Sequence, residues 1–225
     1  ISDHLAKTNK YTPKQRLWYI RAKEVIISSG SIERPLVFGN NDTPGVILSS
    51  AAKEYLKIYG VLVGKKPLVF TNNDSGYETA IEFKKNGIDP LILDTRKDPN
   101  SEIINEAKSL NIDIKLSHVV VAAKGYKKVK SADIAKISDD KKELSKIENI
   151  NCDCICVSGF WTPTIHLASQ SGNKTKFNED IDAFIPGQSK QNETVLGSAK
   201  GIFTLEETLK NSFEKGNELS KKITN

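Results

Sequence analysis

The chain has 225 residues, of which 38% are hydrophobic and 27% charged, and its formal net charge is +5. This composition is typical of a folded globular protein with one or two domains and excludes a disordered or collagen-like chain. No apolar run approaches the roughly 20 residues that a membrane-spanning helix needs, so we expect no membrane segment. There is no methionine, even at position 1, and we therefore expect a fragment of a longer polypeptide.

The basic residues do not predict a nucleic-acid-binding surface, because the lysines are scattered and only 7% of residues are aromatic. The three cysteines, Cys152, Cys154 and Cys156, are odd in number and indicate a reducing compartment, the cytoplasm. Side chains alternate along a strand, so these thiols are expected on one face. A ligand set from one strand is uncommon, and we expect small core side chains rather than a metal site.

In chain order, residues 18–27 predict a strand and residues 47–59 a helix that ends at Gly60. A βαβ unit follows. Its first strand is expected at residues 67–70, its helix from Tyr77 to residues 86–87, with Asp74 or Ser75 as N-cap, and its second strand at residues 91–93. These two strands should be parallel.

The second half of the chain continues the same alternation of helix and strand. The pattern predicts a helix after Ser101, a third strand at residues 112–116, an antiparallel hairpin around Gly125, a surface turn at 139–149 and a buried strand at 152–157. A last helix is expected from Leu205 to about Leu219. Thr204 and Glu207 form its capping box, and Leu205, Leu209 and Phe213 its buried stripe.

The βαβ unit predicts a possible nucleotide site with a broken glycine fingerprint. Gly76 matches the third glycine of a Rossmann turn, but Thr71 and Asn73 stand at the first two positions. Asp94, after the second strand, would accept from a ribose hydroxyl, and Arg96 would suit a 2′-phosphate. Two interpretations remain open: a modified nucleotide pocket, or a Rossmann scaffold that has lost its ligand. We favour the scaffold, because a side chain at the second position crowds a phosphate's approach to the backbone.

Two parts of the chain, residues 29–46 and residues 158–205, carry a more specific pattern. Residues 29–38 read SGSIERPLVF and residues 41–46 read NDTPGV, while residues 158–163 read SGFWTP and residues 197–205 read GSAKGIFTL. They resemble the motifs TGAxERPxxFxxNDxPGV, SGGWxP and GAARGxFTL of the alpha subunit of heterotetrameric sarcosine oxidase, with Phe160 in place of a glycine. The resemblance covers about residues 16–220.

The resemblance implies an α/β fold like that of glutathione reductase, in which a Rossmann-like parallel-sheet domain is inserted into a split FAD/NAD(P)-binding-type domain. Residues 1–64 and 158–225 would be two pieces of the split domain, and residues 65–157 the inserted domain. The principal glycine fingerprint would lie upstream of this chain. Contacts to NAD are then expected from Gly30, Gly197, Ser198, Phe203 and Leu205. Flavin relatives carry an Asp near the position of Ser198, so the resemblance implies NAD rather than FAD here.

The implied chemistry is oxidative demethylation of sarcosine by a complex with beta, gamma and delta subunits. Amine oxidation would take place at FAD on the beta subunit, with FMN at the alpha–beta interface and a folate-type C-terminal alpha domain. This chain would hold NAD and supply scaffold, with no catalytic residue and no metal of its own. The alternatives are a non-catalytic Rossmann-like interaction module, a subunit of a related amine or imino-acid dehydrogenase, and an NADPH-dependent reductase that uses Asp94 or Arg96.

Overall fold

A computed structural model describes residues 2–3 and 15–224 of the chain. Five α-helices are present in this part: α1 Ser49–Tyr59, α2 Ser75–Lys85, α3 Glu102–Ser109, α4 His166–Gln170 and α5 Leu205–Thr224. Strands β1 to β8 are Ser2–Asp3, Gln15–Arg16, Val25–Ile27, Ser31–Glu33, Val46–Leu48, Pro67–Thr71, Leu91–Asp94 and Asp113–Leu116. Strands β9 to β16 are His118–Lys124, Ser131–Lys136, Glu148–Asn151, Cys154–Ser158, Trp161–Pro163, Thr175–Asn178, Ala183–Pro186 and Glu193–Val195.

The chain divides into two compact units. Residues 31–162 form one, here called the sheet unit, and residues up to 30 together with those from 163 onward form the other, the flanking unit. The sheet unit begins at residue 31, and the division implied by the resemblance, with boundaries at 64/65 and 157/158, stays a prediction. Strand β5 pairs in parallel with β12 and so belongs to the same sheet as β6.

The sheet unit is built on five parallel strands in the order β5-β12-β6-β7-β8. The predicted βαβ unit is confirmed, because β6 and β7 pair in parallel on either side of α2 in sequence. Ser158 is level with Thr71, and Thr71 is level with Asp94. The carboxyl ends of three adjacent strands therefore meet at one edge of the sheet.

Both faces of this sheet are covered, as parallel sheets require. Helices α1 to α3 pack on one face around a buried cluster that includes Tyr77, Phe83 and Ile92. The antiparallel strands β9, β10 and β11 pack on the other face, where Phe70, Leu93 and Ile134 are buried. The predicted hairpin is confirmed, and the expected turn at 139–149 gives way to a strand, β11, from Glu148.

The three cysteines are buried, but the prediction that they share one face of a strand is wrong. Cys154 and Cys156 pack with the helices, whereas Cys152 packs in the opposite cluster. The strand begins only at Cys154, because the Asp153 carboxylate turns aside to accept from the amides of Lys65 and Lys66, each at 2.8 Å. Burial raises the pKa of the Cys152 thiol to about 12. A hydrogen bond with Cys154, followed by burial, raises the pKa of Cys156.

The flanking unit has a small core made of Ile27, Ala168, Val195 and Ala199. Its strands β3 and β16 pair in parallel over three residues each, and β14 and β15 form an antiparallel hairpin. The strand predicted at residues 18–27 is therefore reduced to Val25–Ile27. An extended segment becomes a strand only where a neighbour completes its hydrogen bonds, and β16 reaches only these three residues.

Helix α5 begins as predicted but does not bury the predicted stripe. Thr204 caps the helix by accepting from the Glu207 amide at 3.4 Å, and its hydroxyl also donates to the Glu207 carboxylate at 2.7 Å. However, Leu205, Leu209 and Phe213 are 74%, 62% and 73% exposed. Leu219 is the buried residue of this helix. No helix in the described part of the chain is both long and apolar enough to cross a membrane.

Candidate functional site

The turn after β6 is closed by the side chain of Thr71, which stands at the first glycine position of the Rossmann fingerprint. Thr71 is fully buried, and its hydroxyl donates to the Asn73 carbonyl at 2.8 Å and accepts from the Asn73 amide at 3.1 Å. A Cβ on Gly76 would lie 2.6 Å from Thr71 Cβ. Gly76 therefore keeps the packing role of the third Rossmann glycine, which lets a helix approach a strand closely.

Asn73 fills the middle of the same turn. Its side-chain nitrogen Nδ2 donates to the Ser158 carbonyl at 3.1 Å, and its Oδ1 accepts from the backbone amide and the hydroxyl of Ser75, at 2.9 and 2.5 Å. The Asn73 side chain, 7% exposed, thus joins the carboxyl ends of β6 and β12 to the start of α2.

The N-cap of α2 is one of the two residues predicted, Asp74 or Ser75. Asp74 occupies the N-cap position, but its backbone is already helical and its side chain makes no capping hydrogen bond. Asn73 supplies the acceptor for the Ser75 amide instead. This leaves the Asp74 carboxylate to pair with Arg96, whose Nη1 lies 2.8 Å from Asp74 Oδ1.

Asp94 lies at the same edge, at the end of β7, and its carboxylate is already bonded. Its side chain is fully buried; it accepts from the Tyr77 hydroxyl at 2.8 Å, the Arg96 amide at 2.9 Å and Arg96 Nη2 at 2.8 Å. Burial, then the bond to Asp94, raises the pKa of Tyr77, which stays protonated. Burial lowers the pKa of Arg96, but Asp94 and Asp74 outweigh it and the net shift is upward. The carboxylate predicted to hold a ribose is therefore engaged inside the protein.

The second group of predicted residues lies in the flanking unit. Gly30 follows β3 and Gly197 follows β16, and the Leu196 amide donates to the Ile27 carbonyl at 2.9 Å. Both glycines have left-handed backbones, with φ of 75° and 64°. Because the strands are parallel neighbours, the two glycines end the same edge of this small sheet, and Ser198 follows in a short 3₁₀ helix.

The last two predicted contact residues are Phe203 and Leu205, which lie at the entrance to α5. Leu205 is the first residue of the helix and is 74% exposed. The structure thus groups the nine candidates in two sets. Thr71, Asn73, Gly76 and Asp94 are in the sheet unit, and the other five, including Gly30, are in the flanking unit.

Glu33 is a buried acid that no sequence pattern marked as functional, although it lies in the ERP segment. Its Oε2 accepts from the Ser50 amide at 2.8 Å and the Ser50 hydroxyl at 2.6 Å, at the start of α1. A carboxylate is favourable there because the helix N-terminus carries partial positive charge. Glu33 thus anchors α1 to the strand β4.

Known proteins similar to this chain are sarcosine oxidase alpha subunits, the family whose motifs the sequence resembles. The chain is 31% identical over 192 residues to the sarcosine oxidase subunit alpha of Corynebacterium sp. strain P-1, a match that covers 84% of this chain and 20% of that protein. The corresponding subunit of Rhizobium meliloti strain 1021 is 33% identical over 201 residues, with 88% and 19% covered. This chain is similar to a segment of sarcosine oxidase alpha subunits. The resemblance predicted from the sequence is confirmed, and the segment spans about a fifth of those relatives. No family model matches.

Solved structures show the fold that this sarcosine-oxidase-like segment adopts. Thioredoxin reductase from T. acidophilum has a TM-score of 0.61 at 16% identity, covering 80% of this chain and 58% of that one. The flavoprotein disulfide reductase RclA from Escherichia coli has a TM-score of 0.62 at 15% identity, with 85% and 43% covered. The L-proline dehydrogenase from P. horikoshii has a TM-score of 0.52 at 22% identity, with 79% and 30% covered. The predicted fold class, α/β with a parallel sheet of the disulfide-reductase type, is confirmed.

One departure from the sarcosine oxidase motif has a structural consequence. Phe160 stands where the motif has its second glycine, and its backbone is left-handed with φ of 78°. That conformation brings Cβ close to the following carbonyl and costs roughly 1–2 kcal/mol for a residue other than glycine. Gly159, just before it, must remain glycine, because a Cβ there would lie 2.7 Å from the Arg34 carbonyl oxygen.

Proposed function

We propose that this chain is a segment of a sarcosine-oxidase-type alpha subunit, and that its flanking unit is one part of an NAD-binding domain. The observation that carries the proposal is that the described part of the flanking unit has a parallel sheet of only two strands and a largely exposed apolar stripe on α5. The similarity to a fifth of the sarcosine oxidase subunits supports it. The complete complex would demethylate sarcosine oxidatively.

The two-stranded parallel sheet supports the view that further strands complete this unit. Parallel sheets are almost always larger and covered on both faces, and two strands alone are marginally stable in water. In β3, Val25 and Ile26 are 46% and 51% exposed. We infer that an upstream part of the same polypeptide supplies the missing strands and with them the principal glycine fingerprint.

Helix α5 supports the same conclusion independently. Leu205, Leu209 and Phe213 recur every four residues, which places them on one side of the helix, and all three are largely exposed. An apolar stripe of this kind is normally the face that a helix turns to its core. In the proposed complete domain it packs against the added strands.

The residues at the strand ends fit a dinucleotide. Gly30 and Gly197 adopt left-handed backbones that a Cβ would strain, and no atom lies within 4 Å of a Cβ built on Gly30. The backbone is therefore open to close approach at Gly30. We propose that Gly30, Gly197 and Ser198 contact the dinucleotide, with Phe203 and Leu205 at its margin; NAD would supply hydride-transfer capacity when bound.

The remaining components follow from the sarcosine oxidase resemblance. We propose FAD and FMN mainly on the beta subunit and at its interface with the alpha subunit, gamma and delta as further partners, and a cytoplasmic location. The amine-oxidising residues would lie outside this chain. The 225-residue chain alone would therefore be inactive toward sarcosine.

The proposal is tested by titrating NAD⁺ against two proteins, the 225-residue chain and the full-length polypeptide that contains it. We expect tight binding by the full-length protein and at least tenfold weaker binding by the chain alone. In the full-length protein, Gly197→Ala should weaken binding about tenfold, since it strains the backbone at the strand end.

The matched control is Gly87→Ala. Gly87 has a comparable φ of 77°, with no atom within 4 Å of the added Cβ, but lies in the sheet unit after α2. It should lose similar stability and keep full NAD⁺ affinity. A full-length protein that binds no NAD⁺, or a chain that binds as tightly by itself, would contradict the proposal.

A second test addresses the exposed apolar stripe. We expect the 225-residue chain to self-associate as its concentration rises, and the double variant Leu209→Lys with Phe213→Lys to remain monomeric in analytical ultracentrifugation. Val37→Lys, a change at an apolar residue that is 88% exposed in the sheet unit, should not prevent association. A wild-type chain that stays monomeric throughout would argue against an uncovered domain face.

A further inference from the structure

The sheet unit has the layout of a dinucleotide-binding domain, and its fold implies a pyrophosphate at the turn between β6 and α2. Such a ligand needs main-chain N–H groups that point outward at a helix N-terminus and a backbone that it can approach closely. It also uses an acid at the end of the second strand for the ribose.

Two of the N–H groups at the turn are engaged by side chains of the protein. The Asn73 amide donates to Thr71 Oγ1 at 3.1 Å, and the Ser75 amide donates to Asn73 Oδ1 at 2.9 Å. The carboxamide oxygen of Asn73 also accepts from the Ser75 hydroxyl at 2.5 Å. It therefore takes the interactions that a phosphate oxygen would make with the start of α2.

The position of close approach is also filled. Asn73 stands at the second glycine position, and its nitrogen donates to both the carbonyl and the hydroxyl of Ser158, at 3.1 and 3.2 Å. These bonds hold the side chain over the carboxyl ends of the neighbouring strands β6 and β12. A pyrophosphate would have to break them to reach the backbone.

The ribose position is closed by an ionic cluster around the buried Asp94. The Asp94 carboxylate is bonded to Tyr77 and Arg96, and Arg96 also pairs with Asp74 at the start of α2. Arg96 Cζ lies 6.0 Å from the centre of the Tyr77 ring, within range of a cation–π contact. Drawing Arg96 away to a nucleotide would leave the buried Asp94 carboxylate without its cation, which is costly in a buried site.

We propose that the sheet unit is closed to dinucleotides at this turn by its own side chains, with the Asn73 carboxamide standing in for the phosphate. The turn instead fastens the ends of β6 and β12 to α2. This proposal is independent of NAD binding by the flanking unit, because it concerns residues 71–77, residues 94–96 and Ser158, all in the sheet unit.

The test is amide NMR of the 225-residue chain titrated separately with NADH, NADPH and ADP to 10 mM. In the wild-type protein we expect no saturable shift of the resonances of residues 71–77 and 94–96. In Asn73→Gly, which removes the carboxamide and restores a glycine at the second position, we expect saturable shifts there with ADP and at least tenfold tighter binding than in the wild type. Asn111→Gly, the same change at a remote left-handed residue with φ of 53°, should behave like the wild type.

Saturable shifts at the turn in the wild-type protein would overturn the proposal. So would a folded Asn73→Gly protein with no gain in ADP binding, because the side chain would then not be what closes the turn. Should Asn73→Gly fail to fold, Asn73→Ala takes its place with the same two readings, since alanine removes both the acceptor for the Ser75 amide and the bridge to Ser158. Failure of NAD⁺ binding by the full-length protein would leave these readings unchanged, so the two proposals fail separately.

Discussion

Helices α2 and α5 are both amphipathic, yet α2 buries its apolar side chains and α5 exposes them. Tyr77 and Phe83 in α2 are fully buried, whereas Leu209 and Phe213 in α5 are 62% and 73% exposed. The difference lies in what each helix has to pack against. Helix α2 rests on a five-stranded sheet, while the parallel sheet of the flanking unit has two strands. An apolar stripe shows that a helix is built to pack, and the neighbouring elements decide whether it does.

We expect the greatest change in the free energy of unfolding when two phenylalanines, one from each helix, are compared. Phe83→Ala should reduce the free energy of unfolding by about 3–5 kcal/mol, because it removes a fully buried ring and leaves a cavity. Phe213→Ala should change it by less than about 0.5 kcal/mol, as exposed substitutions usually do. Urea denaturation followed by circular dichroism at low micromolar concentration measures both. Equal losses would show that the α5 stripe is covered in the isolated chain.

A smaller effect is expected from the ionic cluster of the sheet unit. Tyr77→Phe removes one hydrogen bond to the buried Asp94 carboxylate and should cost about 1–2 kcal/mol. Tyr55→Phe, at a tyrosine that is 47% exposed, is the control and should be neutral. If both variants unfold at the same urea concentration as the wild type, the Tyr77 hydroxyl is not needed to hold Asp94.

The third comparison concerns the left-handed residue Phe160. Phe160→Gly and Phe160→Ala both delete the ring, but only glycine relieves the backbone at φ of 78°. We expect the glycine variant to be more stable than the alanine variant by about 1 kcal/mol. The difference in thermal or urea midpoints reports it. Identical midpoints would mean that the chain adopts another backbone conformation at this residue in solution.

The smallest effect appears only at alkaline pH. Burial raises the pKa of Cys152 from its usual value of 9.0 to about 12 in the folded protein, so the unfolded chain loses the thiol proton first. The contribution of Cys152 to stability is complete below pH 9 and falls between pH 9 and about 12. At pH 10 the loss should be about 1 kcal/mol.

The matched variant for this last effect is Cys152→Ala. Other groups also titrate above pH 9, so the quantity to compare is the change in unfolding free energy between pH 8 and pH 10 in each protein. The change should be smaller in the variant. A wild type and variant that lose equal stability would show that Cys152 is not shielded from solvent.

Local sequence signals predicted most of the elements in the sheet unit. The strand at residues 67–70, the turn and the strand ending at Asp94 follow from short apolar runs separated by polar and glycine residues, and the structure has them as β6, α2 and β7. The alternation at residues 112–116 and the hairpin around Gly125 were recognisable for the same reason. Each of these signals depends on residues close together in sequence.

The errors fall where distant residues decide the outcome. The pairing of β5 with β12 joins residues about 110 positions apart and brings Val46–Leu48, predicted in part as helix, into the central sheet. Asp153 turned Cys152 away from Cys154 through bonds to the amides of Lys65 and Lys66. At the turn, the broken glycine fingerprint was visible in the sequence, but the bonds that fill it, from Asn73 to Ser158, were not.

Neighbouring residues were enough to predict the alternation of strands and helices, the cap of α5 and the resemblance to sarcosine oxidase alpha subunits, because periodicity, caps and motifs are local properties of the chain. Tertiary structure alone decided which apolar faces are buried and which polar groups are already bonded. Burial and hydrogen bonding depend on what lies across the fold. That is why Asp94, whose position in the chain predicts a carboxylate free to bind a ribose, is bonded to Arg96 and Tyr77 inside the protein.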